Sequence, residues 1–175
     1  MERLETRSLV LEPLTRADYP WLIEMYSDAE VMRYIGNGPR SAEESREKLD
    51  WLVDLAARLD LGCWVLRDRQ TRDLVGTAML MVRKPGGKVE LGFALPRAAW
   101  GRGFATEASR ALLDHAFGKL EVPEVEAFTH ADNAASGAVL RKAGMRETGL
   151  STGPYGDVDR RYAVTREEWR SLRGQ

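Results

Sequence analysis

The sequence predicts a mixed α/β fold: a mostly antiparallel central sheet of about seven strands, flanked by helices. Two observations predict it. Between Cys63 and Leu95, three strand-like runs are joined by turns too short to hold a helix, which argues an antiparallel meander. After the third run, a glycine turn leads into an amphipathic helix and then another strand, a strand–helix–strand unit.

Each element has a local cause. SLVLEPL alternates apolar and polar residues and ends at Pro13 and Thr15. Thr15 can cap a helix from Arg16 to about Ser27, with Asp18 in the favourable first turn. DAEVMRYI continues helically, and Gly36 to Pro39 is a loop. Ser41 and Glu44 have capping-box spacing and open a helix with Leu49, Leu52, Val53 and Ala56 at helical intervals. The meander follows as CWVLRD, a turn at QTRD, LVGTAMLMV, a turn at Pro85 to Gly87, and KVELGFAL. From Phe104 to Lys119, Ala108, Ala111, Leu112, His115 and Ala116 line one helix face. Glu107, Arg110 and Asp114 line the other, with Glu107 and Arg110 spaced for an ion pair. VEAFTHA is a strand, Asn133 caps a helix to Ala143, and Gly144 stops it. MRETGL and RRYAVT pair around STGPYGDVD, and a short helix with Trp169 closes the chain.

A chain of 175 residues without an internal repeat or linker is read as a single domain spanning 1–175. Its net charge of −1 gives no reason to expect nucleic acid or an anionic membrane as partner. No apolar stretch reaches membrane-span length and MERLETRSLV has no signal-like core, so a cytoplasmic location is expected. Cys63, the single cysteine, sits in an apolar run and reads as a packed thiol. Neither His115 nor His130 has metal-ligand spacing, and no metal is expected. His115 reads as a packed helix residue, and His130 sits at the end of a strand beside ADN, a position also open to a surface loop residue. The serine-hydrolase elbow and the P-loop motif are absent.

Two stretches carry candidate chemistry. In WGRGFAT, Gly101 and Gly103 free the backbone at a helix start, where unpaired N–H groups and the helix dipole favour an anion. A tight strand-to-helix connection would use the same glycines. In KVELGFAL, the apolar Val89, Leu91, Phe93 and Leu95 share one face, and Glu90, Gly92 and Ala94 the other. That second face suits either a close-lying ligand or solvent around a hydrated glutamate.

These stretches, with several others, resemble the GNAT acetyltransferase superfamily, and within it the ribosomal-protein-alanine (RimJ/RimL-like) branch. LETRSLVLEPLTRADY is similar to that branch's opening strand and helix, and AEVMRYIGNGPRSAEES to its helical insertion. VELGFALPRAAWGRGFATEA resembles its strand and acetyl-CoA signature, HADNAASGAVLRKAGM its second motif, and RRYAVTREEW its final strand and helix. The superfamily loop reads Gln/Arg-x-x-Gly-x-Gly/Ala. Gly103 and Ala105 match its fourth and sixth positions, while Trp100 stands where Gln or Arg is usual.

The resemblance implies a GNAT-like sheet and direct acetyl transfer from acetyl-CoA, as cosubstrate, to a primary amine. It implies acetyl-CoA contacts along Phe93, Ala94 and Leu95, and at the loop Trp100, Gly101, Arg102, Gly103, Phe104, Ala105 and Thr106. Asn133 and Ser136 complete the cofactor set. Glu90 is the candidate base, with Glu107 as competitor, and a strand N–H near Phe93 or Ala94 is the candidate oxyanion donor. Many members carry a tyrosine acid where Leu140 stands. Ser136 is the substitute acid, or else a helix-surface serine. The acceptor is a protein or peptide N-terminus or a small-molecule amine, shaped by Met32 to Leu55 and the loop Gly153 to Asp159. A non-catalytic acyl-CoA-binding module of the same fold is the alternative. A homodimer is left open.

Overall fold

The computed structural model describes residues 1–82, 86–153 and 156–174. Pro85 of the expected turn, and Pro154 and Tyr155 of the loop before the last strand, lie outside the described residues. The strands are β1 (Leu4–Glu5), β2 (Leu9–Pro13), β3 (Gly62–Asp68), β4 (Leu74–Met81), β5 (Val89–Ala94), β6 (Glu124–His130), β7 (Arg146–Thr152) and β8 (Val158–Thr165). They form one eight-stranded sheet in the order β1-β2-β3-β4-β5-β6-β8-β7. Every neighbouring pair is antiparallel except β5 and β6. The strand beyond the seven expected is β1, which pairs Leu4 with Leu11 and Glu5 with Val10. Two residues are too few to show an alternation in the sequence.

The helices are α1 (Tyr19–Ser27), α2 (Ala29–Met32), α3 (Ala42–Leu59), α4 (Phe104–Gly118), α5 (Ala134–Ala143) and α6 (Arg166–Arg173). They divide between the two faces of the sheet. Leu22, Met25, Tyr26, Met32 and Leu49 from α1–α3 bury themselves with Val65 and Ala94. Phe104, Leu112, Leu113, Leu140 and Trp169 from α4–α6 join Leu66, Leu80, Leu91 and Val125 in the larger core. Strand alternation sends successive β5 side chains into these two compartments, so Glu90, Gly92 and Ala94 face α1–α3.

The helix expected from Arg16 divides in two. Arg16–Asp18 is a 3₁₀ turn, and the α-helix starts at Tyr19. Pro20 lacks an N–H and fits the first turn of an α-helix but not its interior, which sets the start there. Thr15 is the N-cap of that 3₁₀ turn, as expected, with Asp18 at its third position. The Thr15 N–H and hydroxyl both donate to the Asp18 carboxylate, at 3.0 and 2.7 Å. Ser41 and Glu44 do form the expected reciprocal box, at 2.7 and 3.1 Å.

Candidate active site

The parallel strands β5 and β6 pair only at Val89 with Val125 and Glu90 with Glu126. Beyond that point β5 continues to pair with β4, and β6 with β8. The two strands therefore part toward their carboxyl ends. Along the open side of β5, every second backbone N–H and C=O of Leu91–Ala94 faces no strand. Both crossing helices begin beyond the carboxyl ends of these strands, α4 after β5 and α5 after β6. A crevice at the carboxyl ends of parallel strands, under two helix N-termini, is a place where an anionic ligand is held by backbone.

The glycine turn supplies the first N-terminus. Gly101 and Gly103 have φ of +74° and +81°, and Gly103 is the residue from which α4 departs. A β-carbon built on either would meet nothing within 4 Å, so the turn is open above its backbone. The first α4 N–H to reach an intrahelical acceptor is that of Glu107, on Gly103 O at 3.0 Å. The side chains of the turn are engaged elsewhere. Trp100 Nε1–H donates to Leu95 O at 2.8 Å, which closes the turn although half the indole is exposed. Arg102 donates to Asp68 Oδ2 at 2.7 Å and lies 4.3 Å from the centre of the Phe104 ring. Hydrogen bonds from the Gln70 N–H, then Arg102, hold the Asp68 carboxyl below its usual range despite partial desolvation. Of the predicted strand contacts, Leu95 is a core side chain, Ala94 packs against α1–α3, and Phe93 is half-buried. Their backbones border the opening.

Asn133 caps α5, its Oδ1 accepting the Ser136 N–H at 3.1 Å. Ser136 is half-buried in the first turn. Leu140 is a core residue. The buried hydroxyl against α5 comes instead from β8: Tyr162 is fully buried and bonded to Arg141 at 3.2 Å and Glu147 at 3.4 Å. Tyr162 was not singled out in the sequence, where RRYAVT shows only strand alternation.

Glu90 stands at the apex of the opening and is 6% exposed, so it is not a hydrated residue on a wet strand face. Its parallel partner Glu126 accepts from Arg161 at 3.0 Å, and Arg161 also lies 3.8 Å from Glu124. Lys88 bonds Glu124 at 2.8 Å. His130 is the last residue of β6, the strand end expected from the sequence, and is half-buried. Its ring lies 5.3 Å from that of Tyr34, bringing the segment after α2 over the end of β6.

Glu107 does not pair with Arg110. It accepts from the Thr6 hydroxyl and, at 2.6 Å, from the Ser8 N–H, fastening α4 to the strand that precedes the meander. Arg110 instead donates to Lys142 O at 2.6 Å. Helical spacing permitted the ion pair, but the N-terminal chain, distant in sequence, offered a better donor set. Cys63 is buried, and desolvation raises its thiol pKa to about 12. Among the described residues no group of three or more His, Cys, Asp or Glu is placed to hold a metal. Nor is any helix there long and apolar enough to cross a membrane.

The acetyltransferase (GNAT) domain family matches residues 8–146, which include the meander, the glycine turn and Asn133. The chain belongs to the GNAT acetyltransferase family. This GNAT chain is 29% identical to the uncharacterized N-acetyltransferase p20 of Bacillus licheniformis, over 86% of this chain and 85% of that protein. It is 31% identical to the FsC-acetyl coenzyme A-N(2)-transacetylase of Aspergillus fumigatus, over 95% of this chain and 77% of that protein. A GNAT-family acetyltransferase from Bacillus anthracis superposes with a TM-score of 0.83, covering 95% of this chain and 99% of that one at 22% identity. That likeness shows the shared fold.

Proposed function

We propose that residues 1–175 form one acetyl-CoA-dependent N-acetyltransferase domain that transfers an acetyl group directly to a primary amine. The observation that carries this reading is the parting of β5 and β6 beneath the starts of α4 and α5. The open glycine turn fits a diphosphate. Backbone N–H groups from Gly101 to Thr106 hold it, with the α4 dipole adding to the attraction. Asn133 and Ser136 border the same crevice from α5. When bound, acetyl-CoA supplies the thioester whose acetyl carbon an amine attacks.

The chain's own residues do the rest. Glu90, at the apex and facing α1–α3, takes the proton of the attacking amine, directly or through one water. An N–H of Phe93 or Ala94 on the open side of β5 steadies the carbonyl oxygen as charge develops. Ser136 donates toward the departing thiolate. Cys63 takes no part. Its buried thiol, with a pKa near 12, is a poor nucleophile at neutral pH, which favours direct transfer over an acyl-enzyme. The amine approaches from the α1–α3 side, where Glu90, Gly92 and Ala94 face. The acceptor is a protein or peptide N-terminus, as for the ribosomal-protein branch, or a small-molecule amine.

Titrating the protein with acetyl-CoA in a calorimeter, then assaying thiol release over a panel of amines and N-terminal peptides, tests the proposal. Binding with amine-dependent thiol release supports it. Binding without transfer to any amine would leave an acyl-CoA-binding module, and no binding would remove the reading altogether.

A further inference from the structure

Glu90 has a second carboxylate beside it. Glu126 is its register partner on the parallel strand β6, and strands so paired lie about 4.8 Å apart. Val125 and Ala127 turn into the core under α4–α6, so alternation points Glu126 to the α1–α3 side, the side that Glu90 faces. Glu90 is 6% exposed, and the Glu126 side chain 14%. Two like charges so close and so poorly hydrated disfavour each other. Without a counter-charge one of the two carboxyls keeps its proton.

β8 brings that counter-charge. Arg161 lies opposite Phe128 in the antiparallel register, which puts it on the same face. Its Nε donates to Glu126 Oε2 at 3.2 Å, and a terminal nitrogen lies 3.0 Å from the same oxygen. The guanidinium is also 3.8 Å from one oxygen of Glu124, whose other oxygen takes the Lys88 ammonium at 2.8 Å. Two cations thus answer Glu124 and Glu126, and Glu90 adjoins the second of these carboxylates. Met81, Met79 and Thr77 of β4, on the other flank of Glu90, Gly92 and Ala94, carry no charge. The remaining titratable groups on this face of β6 and β8 are His130 and Asp159, paired in register at the strand ends. From α1–α3, Tyr26 reaches Thr77 at 3.2 Å, its phenol pKa raised by burial, and Arg40 lies 5.4 Å from its ring centre.

We infer that Arg161 is a positioning residue of the reaction. Its charge on Glu126 lets the neighbouring Glu90 carboxyl shed its own proton below neutral pH, and so take one from the amine. The inference rests on the role proposed above for Glu90. Arg161 acts through Glu126, so removing one or the other should move Glu90 in opposite directions. Without Arg161, Glu126 opposes the ionisation of Glu90; without Glu126, Arg161 favours it. An ion pair that served the fold alone would not produce those two signs.

The test follows the Glu90 carboxyl itself, by carbon-13 NMR of glutamate-labelled protein, with its signal assigned by its absence from Glu90→Gln. Arg161→Met is expected to raise the titration midpoint of Glu90 by about one pH unit or more. Glu126→Gln should lower it, and the double variant should return it close to wild type. Arg161→Lys should restore most of the wild-type value. With any amine that releases thiol from acetyl-CoA, the acidic limb of kcat/KM should move by the same amounts. An unmoved Glu90 midpoint in Arg161→Met overturns the inference and leaves the proposed function standing. So does a double variant shifted as far as Arg161→Met. If Arg161→Met does not fold, Glu126→Gln decides, and a midpoint that fails to fall overturns the inference. Midpoints that move while the acidic limb stays fixed remove Glu90 as the base, and the inference with it.

Discussion

The hydroxyl of Tyr162 stands 2.5 Å from where a β-carbon on Gly137 would lie. Tyr162 is fully buried and its hydroxyl is tied to Arg141 and Glu147, so the ring cannot step aside cheaply. Gly137 is mid-helix in α5, where alanine would normally gain about 1 kcal/mol. Overpacking at a buried site costs about 1–3 kcal/mol. Gly137→Ala should therefore destabilise despite its better helix propensity. Tyr162→Phe shortens the ring by the clashing atom, so the double variant should lose less than the sum of the two. Denaturant titrations of the four proteins decide it, and strict additivity would refute the contact.

Gly103 holds φ at +81°, with open space above it. Asparagine tolerates that backbone better than other side chains do, so Gly103→Asn should fold with a thermal midpoint within several degrees of wild type. Its side chain would occupy the space given above to the diphosphate. Coenzyme A affinity should fall at least tenfold. Calorimetry that finds the affinity within a few-fold of wild type, with the fold intact, would move the diphosphate elsewhere.

Glu90→Gln preserves size and hydrogen bonding but removes a proton acceptor at the apex. A general base contributes about 10²–10⁴-fold, and the loss should be of that order near neutral pH. It should shrink as pH rises toward the acceptor's own pKa, about 7.7–8.0 for an α-amino group and about 10.4 for a lysine. Coenzyme A affinity should hardly move. Parallel pH–rate profiles separated by less than a few-fold would assign the deprotonation to bulk water or another group.

His115 is buried, with Nδ1 3.1 Å from Glu2 and its ring edge-to-face on Trp64 at 5.4 Å. Burial holds its pKa below 6.5, outweighing the pull of Glu2 and Asp60. Below about pH 6.5 the unfolded chain therefore binds a proton that the native state refuses, and stability falls as pH falls. The loss continues down to the native pKa. Glu2, held low by Lys119, and Asp60, held low by the N-terminal amine, act at more acidic pH. The thermal midpoint of wild type should drop between pH 7 and 5, and that of His115→Phe should drop less. Superimposable slopes in that interval would rule His115 out as the cause.

Much of the fold was legible because its causes are local. The Ser41–Glu44 box, the Gly144 stop and the short meander turns each act within a few residues, so the sequence displays them directly. The two-faced pattern of KVELGFAL likewise determined which residues of β5 face α1–α3. What lay beyond sequence were relations between distant segments. Helical spacing offered Glu107 to Arg110, but Thr6 and Ser8 took it, because only the folded chain brings the N-terminal strand to α4. Pattern alone left Glu90 on a face open to either solvent or ligand, and the sheet buried it at the apex. The sequence determined the pieces and the glycine turn between two of them. Tertiary structure decided the parting of the strands and the burial of Glu90 where they part, since burial and hydrogen-bond satisfaction are set by neighbours remote along the chain.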